Sequence, residues 1–292
     1  MSRMTWKVGL AGALLLSLVL ALVPAAGANA LPAAHEDAIQ RALAWLATQQ
    51  GADGGFANPG TTCDVAFALA AAGHNPGAWR PTPLGPSVMD YLASHAASYA
   101  IGAAQTGKLM VAVVAAGLDP ADFGGMDLLE HLRSFADGAG AYGAGAMDQA
   151  WAILGLLAAG QPVTEAERAV LRAYQQENGG WEGAPGWGTD TNTTALAVQA
   201  LLAAGDAPTS QAIQAARAHF LDQQNEDGGF PYTKPSPWGS DSDANSTAYV
   251  LQALLAMGED PTAEPWRRPG GDPVEALLRF QDPSGAFACH PS

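Results

Sequence analysis

The chain has 292 residues, 28 acidic and 13 basic, for a formal net charge of −15. Nucleic acid is not an expected partner, because the sequence-independent part of that binding needs a basic surface and none is visible. With 48% apolar residues, a chain of this length can bury one substantial core as a single domain.

Residues 1–30 read as a secretory signal peptide. Arg3 and Lys7 give a positive start, residues 8–23 are an uncharged run that is apolar but for Ser17, and Ala28-Asn29-Ala30 is a small-x-small cleavage signal. That run of 16 residues falls short of the roughly 20 that a membrane-spanning helix needs. The protein is expected to be exported, secreted or extracytoplasmic, with residues 31–292 as the mature domain and no membrane span after cleavage. Without Arg3 and Lys7, eleven basic residues face 28 acidic ones, a net charge of −17.

The mature chain is a repeat. The first unit opens with AIQRALAWLATQQ, amphipathic through Ile39, Leu43 and Leu46, and continues through GADGGF to TTCDVAFALAAAG. Thr61 or Thr62 suits an N-cap, and Gly73 suits the left-handed residue that stops a helix. A Pro-rich connection (Pro76, Pro81, Pro83, Pro86) leads to a degenerate second unit that ends at Gly117. The third unit starts near Asp127 and ends at Gly160. The fourth and fifth are the best copies: QQENGGW with NTTALAVQALLAAG, and QQNEDGGF with NSTAYVLQALLAMG. The sixth starts near Asp272 with PVEALLRFQDPSGAF and has only its first helix.

Terminal glycines at 73, 117, 160, 205 and 258 keep the register, 44, 43, 45 and 53 residues apart. Eleven helices are expected after the signal segment. The apolar segments run 12–15 residues, are rich in Ala and Leu, and follow a 3.6 rather than a 2 period, so the fold class is all-α. One such helix pair cannot bury its own apolar face, which calls for a stacked or closed array. In units four and five the first helix carries the charges (Glu165, Glu167, Arg168, Arg172; Arg217, Asp222), whereas the second is almost uncharged. Helices apolar all round belong inside, so two concentric layers are expected.

At QQGADGGF, QQENGGW and QQNEDGGF the sequence resembles the Gln-Trp-type repeats of the terpenoid cyclase and protein prenyltransferase superfamily, from about Ala34 to Phe287. The resemblance implies an α/α toroid of about six helix pairs, here with the last inner helix missing. The wording of units four and five is also similar to the helical domain of cobalamin carriers.

In such a toroid the loops before the inner helices lie at the mouth of a central cavity. Those of units four and five place Trp187, Asp190 and Asn192, and Tyr232, Trp238, Asp241, Asp243 and Asn245 there. With Trp181 of the fourth turn, these are the candidate ligand-binding residues, since aromatic faces with a few placed polar groups suit a small-molecule pocket. The same residues also suit plainer roles, with Trp packing the loop and Asp, Ser and Asn capping helices.

Proton-donating cyclases carry Asp-x-Asp-Asp-Thr-Ala with a central acid. Aligned on Thr-Ala, that acid is replaced by Asn192 and Asn245, and an amide has no acidic form near neutral pH. No zinc triad of the prenyltransferase kind is spaced correctly around Cys63, Asp64 and His74. Asp241 to Asn245 starts like a calcium loop but has Ser246 at the sixth place and Gln252 at the twelfth, so calcium is a weak candidate and no other metal or cofactor is expected. No G-x-S-x-G elbow supports serine hydrolysis.

Under the toroid resemblance, Cys63 and Cys289 would be neighbours, and a disulfide joining the ring ends is expected. The absent twelfth helix would leave either a truncated frame or an open ring edge, an apolar patch that invites a partner. The reading that follows is an exported protein that binds a bulky apolar small molecule, terpenoid-like or corrinoid, at the toroid mouth. Two alternatives stand beside it: a superfamily enzyme with altered catalytic groups, and a cell-surface module for protein or polysaccharide.

Overall fold

A computed structural model describes residues 33–289; the expected signal segment, residues 1–30, lies outside them. Among the described residues there are eleven α-helices. The first helices of the pairs are α1 (Ala33–Gln49), α3 (Val88–Tyr99), α5 (Leu128–Arg133), α7 (Glu165–Ala173), α9 (Gln211–Gln223) and α11 (Pro273–Arg279). The second helices are α2 (Pro59–Ala71), α4 (Ala103–Ala115), α6 (Ala146–Ala158), α8 (Thr191–Ala203) and α10 (Ala244–Ala256). This second set packs in chain order, α2 on α4, α4 on α6, α6 on α8 and α8 on α10, and supplies most of the buried core. All five terminal glycines have positive φ, from 68° to 99°, the conformation that ends a helix at no steric cost.

The Gly-Gly turns explain why the repeat needs its Gln and its aromatic. Gln50, Gln175, Gln224 and Gln281 each donate through Nε2 to the carbonyl of the turn glycine four residues on. Each also donates to the backbone of another unit: Trp79, Ala212 and Trp266 of the following unit for the first three. Gln281 reaches Ala38 of α1 at 2.8 Å, so the sixth turn holds the first helix as the others hold their successors. The aromatic after the glycines is buried, and its backbone N–H donates to a threonine in the following helix. The pairs are Phe56 to Thr62 Oγ1, Trp181 to Thr194 Oγ1 and Phe230 to Thr247 Oγ1, at 2.9, 2.9 and 3.0 Å.

Three features differ from the sequence expectation. Helix α2 begins at Pro59 with Asn58 as its N-cap, accepting from Thr61 N–H, so Thr61 and Thr62 lie inside its first turn. The loop of unit four closes with a two-residue antiparallel ladder, β1 (Trp181–Glu182) against β2 (Thr189–Asp190). Its tip is held by Glu182, which accepts from the N–H groups of Gly186 and Trp187, a local device that apolar periodicity does not reveal. The expected disulfide is not formed: Cys63 and Cys289 are both free. Cys63 is wholly buried on α2, whereas Cys289 is exposed and its carbonyl accepts from Ala244 N–H at the start of α10. The last turn docks on α1, and the tail beyond it runs towards α10 instead of α2. No helix among the described residues is long and apolar enough to cross a membrane.

Candidate functional site

The terminal glycines set a common level for the five inner helices. Thirteen residues before them lie Met147, Asn192 and Asn245; nine before them lie Asp64, Lys108, Trp151, Leu196 and Tyr249. Four residues is about one helical turn, so the second group sits roughly 6 Å deeper. A cavity of about 340 Å³ opens here. Met147, Asn192, Asn245 and Thr193 line its rim, together with Gly183 and Trp187 from the β1–β2 loop and Tyr232 from the loop after α9. Asp64 and Tyr249 line it one turn down, from α2 and α10.

The deeper level is electrostatically linked. Lys108 Nζ lies 2.7 Å from Asp64 Oδ1 and 5.6 Å from the centre of the Trp151 ring, an ion pair and a cation–π contact on one ammonium. Burial raises the Asp64 carboxyl above its usual range, and the Lys108 charge opposes that shift. Tyr249 and Tyr99 are both raised, chiefly by burial. At the rim, burial and then the Asp190 charge push Tyr232 up to about 12. Asp190 itself is raised by burial, against hydrogen bonds from Thr193.

Asp190 and Asp243 cap α8 and α10. Asp190 accepts from Thr193 N and Oγ1 at 2.7 and 2.9 Å, and Asp243 accepts from Ser246 N and Oγ at 2.7 Å each. Both carboxylates are therefore engaged, beside the cavity and not on its lining. Trp187 lines the cavity although 80% exposed; Trp238, 94% exposed, does not. Trp181, expected at the site, belongs to the core: it is fully buried, and its indole N–H donates to Leu171 O at 2.7 Å. Asp241 is exposed and off the cavity. The Asn192 amide has only a 3.4 Å contact with Thr191 Oγ1, and Asn245 makes no side-chain hydrogen bond among the described residues. No cluster of three His, Cys, Asp or Glu side chains suited to a metal occurs among the described residues.

Asp64, Met147, Gly183, Thr193 and Tyr249 are cavity residues that the loop-based reading passes over. The signal for Asp64 and Tyr249 was present. Counting nine back from each terminal glycine picks out polar or aromatic residues in four of the five uncharged-looking helices.

Residues 155–223 match the model of the squalene-hopene cyclase N-terminal domain. No curated protein sequence matches the chain. Among solved structures, a variant of the type II terpene cyclase MstE from Scytonema in complex with merosterolic acid A superposes with a TM-score of 0.57 at 19% identity. The match covers 87% of this chain and 82% of that one. A second MstE variant, in complex with the substrate geranylgeranyl dihydroxybenzoate, gives 0.53 at 19%, covering 86% and 80%. A protein from Actinoplanes gives 0.51 at 18%, covering 82% and 87%.

Proposed function

We propose that this chain, which carries the α/α fold of the terpenoid cyclases, is an exported protein that binds a small apolar molecule at the mouth of its inner helices. One observation carries the reading: a single cavity brings Trp187, Tyr232, Tyr249 and Met147 together with two amides, Asn192 and Asn245. Apolar and aromatic walls with few polar groups are what a small-molecule site needs. Its volume, about 340 Å³, lies near the bottom of the roughly 300–1,000 Å³ range of such sites. That favours a short isoprenoid over a corrinoid macrocycle. The amides at the position of the cyclase acid favour retention over proton-initiated turnover.

Native mass spectrometry of the exported protein tests this, with a small apolar molecule expected to co-purify. Short isoprenoid alcohols are expected to change the fluorescence of Trp187. Gly183→Val is expected to weaken that binding at least tenfold, because a Cβ there would lie 3.2 Å from Thr193 Oγ1 and 3.3 Å from Asp190 Oδ2, on the cavity wall. Unchanged binding in that variant would remove the cavity from the account.

A superfamily enzyme is the second reading, favoured by one feature: Asp64 is a carboxyl on the cavity lining, raised by burial. Against it, Lys108 at 2.7 Å stabilises the ionised form, which cannot donate a proton. Cyclised product from an isoprenoid substrate, abolished by Asp64→Asn, would decide for the enzyme.

A further inference from the structure

We propose that the cavity selects an organic cation, an alkylammonium head on a short apolar body; this rests on the cavity being the ligand site. Two independent observations point there. The first is aromatic: Trp187, Tyr232 and Tyr249 reach one small cavity from three different segments. Ring faces attract ammonium groups through their quadrupole, by about 2 kcal/mol or more once the cation is desolvated.

The second is the sign of the charge around it. Asp64 lines the cavity while its partner Lys108 is not on the lining, so the ion pair turns its negative end inward. The Lys108 ammonium is occupied by Asp64 and the Trp151 face. Inner-helix N-termini also open at this level, and each contributes only about +0.5 charge. Asp190 and Asp243 place a full carboxylate on the ends of α8 and α10. On α6, Asp148 accepts from Ala104 and Ala144 N–H, at 3.2 Å each. The carboxylates therefore outweigh the helix dipoles. Lys234, near in sequence to Tyr232, donates to Gln224 O and Asn225 Oδ1 and is turned to the outer layer. An acidic chain, net −15, extends the same preference to longer range.

The test compares two ligands of one shape by isothermal titration calorimetry on the mature protein: (6-hydroxyhexyl)trimethylammonium and 7,7-dimethyloctan-1-ol, which differ by N⁺ against C. The cation is expected to bind at least tenfold tighter. Asp64→Asn is expected to cut that preference below threefold. Tyr249→Leu, which installs the residue that unit four carries at the same level, is expected to reduce it severalfold while circular dichroism stays unchanged. Equal binding of the two ligands would overturn the cation preference and leave the ligand site standing. A preference undiminished in both variants would overturn it as well. Binding of neither ligand would remove the site itself.

Discussion

The α4–α6 junction and the α8–α10 side are built from one repeat and fill the centre differently. Between α4 and α6 two glycines meet: a Cβ on Gly107 would lie 2.1 Å from Trp151 O, and one on Gly155 would lie 2.8 Å from Gly107 Cα. The corresponding positions in the other units are Cys63, Ala150, Ala195 and Ala248 for Gly107, and Ala68, Ala112, Ala200 and Ala253 for Gly155. Losing one carbon from each facing position lets the two backbones touch, and Lys108 of α4 lies over the Trp151 ring of α6. On the α8–α10 side the helices keep alanine, the loops before them are long, and the cavity opens. Where the centre is closed and where it is hollow thus depends on single carbons in the helices and on rim-loop length.

If the turns carry much of the stability on the hollow side, the largest loss should come from a turn. Trp181→Ala removes a fully buried indole and its bond to Leu171 O, and should cost about 3–5 kcal/mol in denaturant unfolding. Trp187→Ala and Trp238→Ala, at exposed rim positions, should stay within about 0.5 kcal/mol. Comparable losses in all three would mean that the rim carries the fold.

The repeat itself was legible because it is written in backbone chemistry. Glycine at a positive-φ helix end, Gln before a Gly-Gly turn and threonine beneath the turn aromatic are local requirements, and local requirements recur in sequence. The eleven helices followed from them. The cavity was only half legible: Trp187 and Tyr232 stand in rim loops and Asn192 and Asn245 in the helix turns just after them, where attention falls, whereas Asp64 and Tyr249 lie deeper within helices that read as apolar. Trp181 stands off the cavity for the opposite reason. It ends a conspicuous motif, and the motif is conspicuous because it builds the core. The cysteine pairing failed because meeting ends do not fix which helix the tail follows.

Closing distance is the next lever. Gly107→Ala forces a methyl against the Trp151 carbonyl, a backbone atom that cannot swing aside, and should cost about 1–3 kcal/mol. Ala195→Gly, the reverse change on α8, should cost about 1–2 kcal/mol, through helix propensity and the loss of a buried methyl. A tolerated Gly107→Ala would mean that α4 and α6 have room to part. Thr194→Val tests the turn again on a smaller scale: the hydroxyl accepts from Trp181 N–H and donates to Asp190 O at 2.6 Å. An orphaned buried N–H should cost about 1–3 kcal/mol, and Thr247→Val should match it, since Phe230 N–H is held in the same way.

The smallest expected effect is at the cysteines, and it bears on how the ends are joined. Burial pushes the Cys63 thiol up to about 12, with the Lys108 charge opposing, so it should not react in the folded protein. Cys289 is exposed, and its thiol is raised by partial burial and then by Asp243. A thiol titration should therefore find one slow-reacting group in native protein and two after unfolding without reductant. Cys289→Ser should leave stability within about 0.5 kcal/mol. Gln281→Ala, which cuts the hydrogen bond from the sixth turn to Ala38, should cost more than that, because the join between last turn and first helix is made by hydrogen bonding and packing, with no covalent link. No free thiols on unfolding, with a reductant-sensitive melting temperature, would reverse that order.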